Sequence, residues 1–248
     1  MTFSIHHGNC INWMATLADK SVDVTICDPP YSANVHANVR SVSSKGSKGV
    51  EIPFDAMTPD RMAGVAAEAL RLTRRWTLFF TDFESIHLWK SAVLAAGLDY
   101  VRIGIWAKKR AAPQITGDRP GSWAEAIIIA HPKGRKRWNG GGCGNVWTSD
   151  TEHDRLRAHP TQKPVPLMIE LVSLFSEPGE TILDPYSGSG STGVAALRLG
   201  RHFVGAEMDA TYHAIAVERL SAEADGTTLQ AARAGQATLF PLLPNRTS

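Results

Sequence analysis

Residues 28 to 31 place a carboxylate, two prolines and an aromatic ring in one short segment that could bind an amino group. Pro29 and Pro30 have fixed φ angles and no N–H, so they form a rigid turn that offers only carbonyl acceptors. The Asp28 carboxylate and the Pro29 carbonyl could accept both protons of an amine, which favours its pyramidal, nucleophilic form. Tyr31 could stack on a flat ring behind that amine. The alternative is an ordinary Pro-Pro turn with a surface tyrosine.

A second ligand-binding pattern is a glycine-rich turn. Gly188, Gly190 and Gly193 fit G-x-G-x-x-G, and Glu207 follows 19 positions after the first glycine. Such glycines allow the backbone to approach a nucleotide closely, and the acid can accept hydrogen bonds from ribose hydroxyls. These features alone fit a dinucleotide dehydrogenase or a plain strand-to-helix turn. However, Asp184 before the turn would repel a pyrophosphate and could bind an ammonium, so S-adenosylmethionine fits better.

The elements around these motifs predict an α/β fold, because β-rich apolar runs alternate with helical patterns as in a mostly parallel sheet with helices on both faces. Strands are predicted at 3–7, 22–27, 76–81, 100–106, 124–130, 180–183 and 202–206, and helices at 11–17, 59–72, 85–96, 164–175, 191–199 and 210–224. We expect a long loop from Ser32 to Val50 and irregular structure from Asn139 to Asp154.

Composition excludes several classes of protein. A hydrophobic content of 43% and a charged content of 20% are typical of a globular domain. No apolar run approaches the ~20 residues of a membrane span, and the N-terminal residues lack a signal-peptide pattern, so we expect a cytoplasmic protein. Cys10, Cys27 and Cys143 have no paired spacing, which argues against a disulfide framework and a metal site.

Basic residues are concentrated between Arg102 and Arg137. This stretch has nine basic and two acidic residues, and Trp106, Trp123 and Trp138 are interleaved among them. A polyanion would be attracted to such a segment, and the rings could stack on bases. A solvated charged face with tryptophans in the core is the alternative.

Three blocks in this order resemble the β-class (permuted) DNA amino-methyltransferases, in which D-P-P-Y precedes the cofactor loop. The blocks are residues 22–31, His159-Pro160-Thr161-Gln162-Lys163-Pro164, and residues 182–190 running on to Glu207. The resemblance covers most of the chain from Phe3 to Leu220, and the joint occurrence is more specific than any one block. It implies a Rossmann-like class I methyltransferase fold with circularly permuted motif order. The strands ending at Asp184 and Asp28 would then lie side by side.

The resemblance also implies the activity, which is site-specific transfer of a methyl group from S-adenosylmethionine to an amino group of a base flipped out of double-stranded DNA. Asp28 at the head of the tetrapeptide favours adenine N6, and cytosine N4 is the alternative. A methyltransferase acting on RNA or a protein glutamine, an oxidoreductase and a non-catalytic DNA-binding protein are less favoured alternatives. Nothing resembles the Pro-Cys nucleophile of C5-cytosine enzymes.

Roles for individual residues follow from the resemblance. The implied catalytic residues are Asp28, Pro29, Pro30 and Tyr31, and the implied cofactor contacts are Asn9, Cys10, Asp28, His159, Thr161, Lys163, Asp184, Tyr186, Ser187, Gly188, Ser189, Gly190, Glu207 and Met208. Lys163 is implied to lie near the methionine carboxylate or the catalytic loop. Two positions depart from the family pattern, since Asn9 replaces a common Asp and Tyr186 a more frequent Phe.

The resemblance further implies a methyltransferase domain over residues 1–224, with target recognition at about 108–157 and a flexible tail over 225–248. The expected DNA contacts are Lys108, Lys109, Arg110, Arg135, Lys136 and Arg137. Gln236, Leu239 and Phe240 resemble the Q-x-x-L-F peptide by which bacterial DNA-processing proteins dock on the sliding clamp, although this motif could also arise by chance or pack on the domain. We expect a monomer or a homodimer.

Overall fold

The computed structural model describes residues 1–31, 57–110, 117–150 and 162–233. Its elements, in chain order, are β1 (Phe3–His7), α1 (Cys10–Met14), β2 (Val24–Cys27), α2 (Pro59–Leu72), β3 (Thr77–Thr81), α3 (Ile86–Ala96), β4 (Asp99–Lys108), β5 (Ala124–His131), β6 (Val146–Ser149), α4 (Val165–Phe175), β7 (Thr181–Asp184), α5 (Ser191–Arg198), β8 (His202–Glu207), α6 (Ala210–Ala224) and α7 (Leu229–Arg233). Within these ranges, no helix combines the length and apolar character needed to cross a bilayer.

The strands form one sheet in the order β1-β8-β7-β2-β3-β5-β4-β6. All neighbouring strands pair in parallel except β5, which is antiparallel to both β3 and β4. The predicted adjacency of β2 and β7 is confirmed by their parallel register, in which Val24 pairs with Ile182 and Thr25 with Leu183. The sheet therefore brings the ends of two sequence-distant strands to one edge.

Helices cover both faces of the sheet, which explains why the central strands are apolar without alternation. Leu78 and Phe80 on β3 belong to the core on the α4 and α5 side, whereas Phe79 belongs to the core on the α2 and α3 side. Successive side chains of a strand point to opposite faces, so a strand buried on both faces needs apolar residues at every position. All five residues of β3 are buried.

Two short elements differ from the sequence-based expectation. Strand β6 lies inside the stretch expected to be irregular and pairs in parallel with β4, with Trp147 buried. Helix α7 extends the folded part beyond Ala224, because Arg233 forms an ion pair with Glu218 of α6 at 2.6 Å and Ala231 is buried. Elements of four or five residues carry too little periodicity to be recognised locally, and tertiary contacts decide them. The expected 32–50 loop lies outside the described residues.

A close contact at Gly205 in β8 leads to a stability prediction. A Cβ at this position would overlap the Ser187 hydroxyl and stand 3.0 Å from the Asp184 carbonyl oxygen. Gly205→Ala should therefore lower the free energy of unfolding by about 1–3 kcal/mol, as overpacking does. The matched control is Gly64→Ala in α2, where the nearest side-chain atom would be 3.9 Å away, and this change should raise stability by roughly 0.5–1 kcal/mol. Urea unfolding of both variants tests the prediction, and equal stabilities would contradict it.

Candidate active site

Three carboxylates meet at the carboxyl edge of the parallel strands. Asp28 directly follows β2, Asp184 ends β7 and Glu207 ends β8, and these three strands are neighbours in the sheet. Asp184 and Glu207 are 3% and 7% exposed. Ligands bind at this edge in open α/β sheets, so the crevice here is the candidate site.

The glycine-rich loop between β7 and α5 is held by hydrogen bonds. Asp184 accepts the Tyr186 N–H at 3.0 Å and the Thr192 hydroxyl at 2.6 Å. Gly188 donates its N–H to Glu207 at 2.8 Å. Gly188 and Gly190 have φ values of +50° and +84°, in the left-handed region that favours glycine. The loop is therefore preformed, and its shape depends on both acidic residues.

Burial changes the ionisation of these acids. It raises the pKa of Asp184 to about 7, although hydrogen bonds from Thr192 and Tyr186 act in the opposite direction. Burial likewise raises the pKa of Glu207 above its usual range. In the described part of the chain, no basic side chain forms an ion pair with either carboxylate. A cationic ligand bound in the crevice would favour the ionised form of both carboxylates, because it would supply the opposite charge.

Lys163 lies against the loop formed by residues 28–31, which is the second of the two positions that the resemblance implied. Its Nζ is 2.6 Å from Asp28 Oδ2, 3.3 Å from the Tyr31 hydroxyl and 3.1 Å from Glu125 Oε2. Three aromatic rings surround the ammonium, with centroids 5.0 to 5.8 Å away. They belong to Tyr31, Phe80 and Trp106. Burial raises the pKa of Asp28, and the charge of Lys163 partly offsets this.

Glu125 on β5 is part of this cluster and was missed by the sequence-based assignment. It accepts a hydrogen bond from the Tyr31 hydroxyl at 2.5 Å and pairs with Lys108 at 2.8 Å. Although burial opposes ionisation, Lys163 and Lys108 lower its pKa to about 2. One signal was available, since Glu125 is an acidic residue within the otherwise apolar strand 124–130. A charge buried in a strand requires a partner.

The other residues that the resemblance implied as cofactor contacts lie on several elements around the glycine-rich loop. Asn9 caps α1 by accepting the N–H groups of Ile11 and Asn12. It lies beside β8, because the N–H of Gly8 donates to the Glu207 carbonyl. Cys10 is buried, and burial raises the pKa of its thiol, whereas Met208 is 56% exposed.

The Ser189 hydroxyl donates to Gln162, which the sequence-based assignment also omitted. Ser187 donates its hydroxyl to the Asp184 carbonyl oxygen and its N–H to Ala206. His159 and Thr161 fall outside the described residues, as do the clamp-docking candidates Gln236, Leu239 and Phe240. The docking assignment stays a prediction.

The structure divides the expected DNA-contacting residues between two edges of the sheet. Lys108 ends β4 at the carboxyl edge, where Asp28, Asp184 and Glu207 lie, and Lys109 and Arg110 follow it there. Residues 135–137 follow β5, whose end pairs with the beginning of β3. The Arg137 carbonyl accepts a hydrogen bond from Trp76, next to the start of β3, and Lys136 pairs with Asp99 at the start of β4. The six residues therefore lie at both edges of the sheet, because antiparallel β5 carries the chain to the opposite edge, and their contact with DNA stays a prediction.

Fold and site together define the class. A mostly parallel sheet with a glycine-rich loop after one central strand, and a rigid Asp-Pro-Pro-Tyr loop after its neighbour, is a Rossmann-like amino-methyltransferase arrangement. The chain belongs to the DNA methylase family N6_N4_Mtase, whose model matches residues 22–218. The protein is therefore a DNA amino-methyltransferase of the N6-adenine or N4-cytosine type.

Individual relatives agree with this family. The Escherichia coli (strain K12) protein YubD is 30% identical over 220 residues, which are 87% of this chain and 88% of YubD. The structure of the M1.HpyAVI complex with SAM matches with a TM-score of 0.69 at 22% identity, over 88% of this chain and 99% of that one. The cytosine-N4-specific PvuII DNA methyltransferase matches with a TM-score of 0.66 at 14% identity, over 88% of this chain and 86% of that one. The two structural matches establish the shared fold.

Proposed function

We propose that this protein transfers the methyl group of S-adenosylmethionine to the N6 amino group of adenine in double-stranded DNA. The observation that carries the proposal is the pairing of β2 with β7, which places the Asp28-Pro29-Pro30-Tyr31 loop beside the loop that begins at Asp184. A methyl donor held by one loop would then face an amine held by the other. Close, oriented placement of two reactants supplies much of the rate enhancement in such a displacement.

The charge of the crevice supports S-adenosylmethionine as the cofactor. When bound, it supplies a methyl group on a positively charged sulfonium, and it carries an ammonium at its amino-acid end. Asp184 provides the negative charge for the ammonium, and Glu207 has lone pairs left to accept ribose hydroxyls beyond its backbone hydrogen bonds. NAD would instead bring a pyrophosphate toward Asp184, which is unfavourable. Gly188 leaves room for the ligand, because a Cβ there would meet no atom within 4 Å.

The catalytic loop supports an amine as the methyl acceptor. Asp28 and the Pro29 carbonyl accept the two amine protons, and the Tyr31 ring stacks on the flipped base. In the displacement, the bond between the methyl carbon and the sulfonium sulfur would break as the N–C bond forms, leaving a neutral thioether, and the nitrogen would lose one proton that Asp28 is placed to accept. Lys163, 2.6 Å away, favours the ionised form of this half-buried carboxylate. We assign adenine because an Asp heads the tetrapeptide, and cytosine N4 is the second candidate because its amine presents the same two protons.

The test is transfer of labelled methyl from S-adenosylmethionine to duplex DNA, RNA and protein in parallel, followed by mass spectrometry of the nucleosides. N6-methyladenine in DNA is the expected product. N4-methylcytosine would overturn the adenine assignment and keep the mechanism. Label in RNA or protein without label in DNA would overturn the proposed substrate.

The separation of the basic residues between two edges of the sheet leads to a DNA-binding prediction. We propose that Lys109 and Arg110 contact the DNA backbone, since they are at the carboxyl edge of the sheet, beside the proposed active site, and the Arg110 side chain is 80% exposed. Replacing both with alanine should weaken DNA binding and reduce the slope of log affinity against log salt by about 1.8, or roughly 0.9 for each lost phosphate contact. The matched control replaces Arg135 and Arg137, at the opposite edge. Fluorescence anisotropy over a salt series measures both, and an equal or larger loss in the control would contradict the assignment.

A further inference from the structure

Four charged side chains form an array that ends at the catalytic carboxylate. Lys108 contacts Glu125 Oε1 at 2.8 Å, Glu125 Oε2 contacts Lys163 at 3.1 Å, and Lys163 contacts Asp28 at 2.6 Å. The charges alternate in sign along the array. Glu125 and Lys163, in the middle, have side chains only 12% and 8% exposed. Only the Asp28 end of this array belongs to the catalytic tetrapeptide.

Both carboxylate oxygens of Glu125 make contacts within this array. Oε1 binds Lys108, while Oε2 accepts the Tyr31 hydroxyl and binds Lys163. The hydrogen bond from Tyr31 restrains the ring that would stack on the base. The contact with Lys163 makes Glu125 a competitor of Asp28 for the same ammonium. A buried ammonium shared between two carboxylates neutralises each of them less than it would neutralise one alone.

We propose that Glu125, held in place by Lys108, is a positioning residue for methyl transfer. It orients the Tyr31 ring and shares the Lys163 ammonium, so that Asp28 stays able to accept a proton from the amine. The inference rests on the proposed function. It also gives Lys108 a role within the protein in place of the DNA contact expected from the sequence.

Glu125→Gln tests this role because it keeps the side-chain shape and removes the charge. Lys163 would then bind Asp28 alone, and the Tyr31 hydroxyl would lose its anionic acceptor. We expect kcat to fall about tenfold or more, as misplacement of reacting groups does. The KM for S-adenosylmethionine should change less than twofold, because Glu125 contacts no residue of the 184–190 loop in the described part of the chain.

The pH profile separates this role from a merely structural one. Asp28 must be ionised to accept the proton, so activity rises with pH as Asp28 loses its own proton. Burial and then the charge of Glu125 raise the pKa of Asp28. Removing that charge lowers the pKa, so the acid limb of the kcat profile should move to lower pH in Glu125→Gln. A variant that only loosens the fold would lower activity without this movement.

The experiment measures steady-state kinetics and pH profiles on duplex DNA for wild type, Glu125→Gln, Lys108→Met and a matched control. The control is Glu218→Gln, which removes an acidic partner from the exposed pair with Arg233 and should behave as wild type. Lys108→Met should also lower kcat, but by a smaller factor. This variant tests the proposed role of Glu125 if Glu125→Gln does not fold. Wild-type kcat in both array variants, or a lower kcat with an unmoved acid limb, would overturn the inference. An inactive wild type would instead overturn the proposed function.

Discussion

Replacing Asp28 with asparagine is expected to lower the rate of methyl transfer about 100- to 1,000-fold, the cost of losing one charged group that stabilises a transition state. Asparagine keeps the size of the side chain but loses the negative charge and cannot accept the amine proton. The effect should fall on kcat. Binding of S-adenosylmethionine should change much less than the rate, because the hydrogen bonds of the 184–190 loop do not involve Asp28.

Single-turnover transfer of labelled methyl to duplex DNA gives this rate directly, and isothermal titration gives the cofactor affinity of the same variant. Lys163 retains Glu125 as an ionic partner in Asp28→Asn, so the fold should persist. Asp19→Asn is the matched control, since Asp19 is an exposed partner of Arg71 outside the site. A wild-type rate in Asp28→Asn would show that this carboxylate is not the catalytic acceptor.

The second large effect is expected at Asp184, where asparagine should weaken binding of S-adenosylmethionine about 30- to 100-fold, or about 2–3 kcal/mol, because the bound ammonium would lose its charged hydrogen-bond acceptor. The pH dependence of binding should change as well. Because burial raises the pKa of Asp184 to about 7, a large part of this group is protonated and uncharged near neutral pH before the cofactor binds. Wild-type affinity should therefore rise as the pH rises from 6 to 8, and the rise should be lost in Asp184→Asn.

Calorimetric titration at pH 6, 7 and 8 tests this effect with two ligands. S-adenosylmethionine carries the ammonium, whereas 5′-methylthioadenosine has the same nucleoside but lacks the amino-acid portion and the sulfonium charge. The pH dependence that Asp184 contributes should appear with the first ligand and be absent with the second. A smaller pH dependence left in Asp184→Asn would report Glu207 and Asp28, whose pKa values are also raised. Equal pH profiles for the two ligands in wild type would contradict an ammonium contact.

Local sequence signals were enough to predict most of the helices and strands. Helices α2 and α6 begin and end at the predicted residues. The reason is visible at α2, where the Thr58 side chain caps the first turn and Pro59 stands at its first position. Both signals depend on residues within a few positions of each other. The same holds for the Asp28-Pro29-Pro30-Tyr31 turn, whose rigidity comes from its own prolines.

Tertiary structure alone decided how these local pieces form one site. Nothing within residues 124–130 encodes that β5 runs antiparallel to its neighbours, yet this direction brings Glu125 to Lys163 and sends residues 135–137 to the far edge. The order and direction of strands depend on long-range hydrogen bonding and on burial of both faces of the sheet. The sequence by itself determined the chemical groups, the turns and most element boundaries. The sheet determined which of those groups meet, because contacts between distant segments follow from pairing that no short stretch specifies.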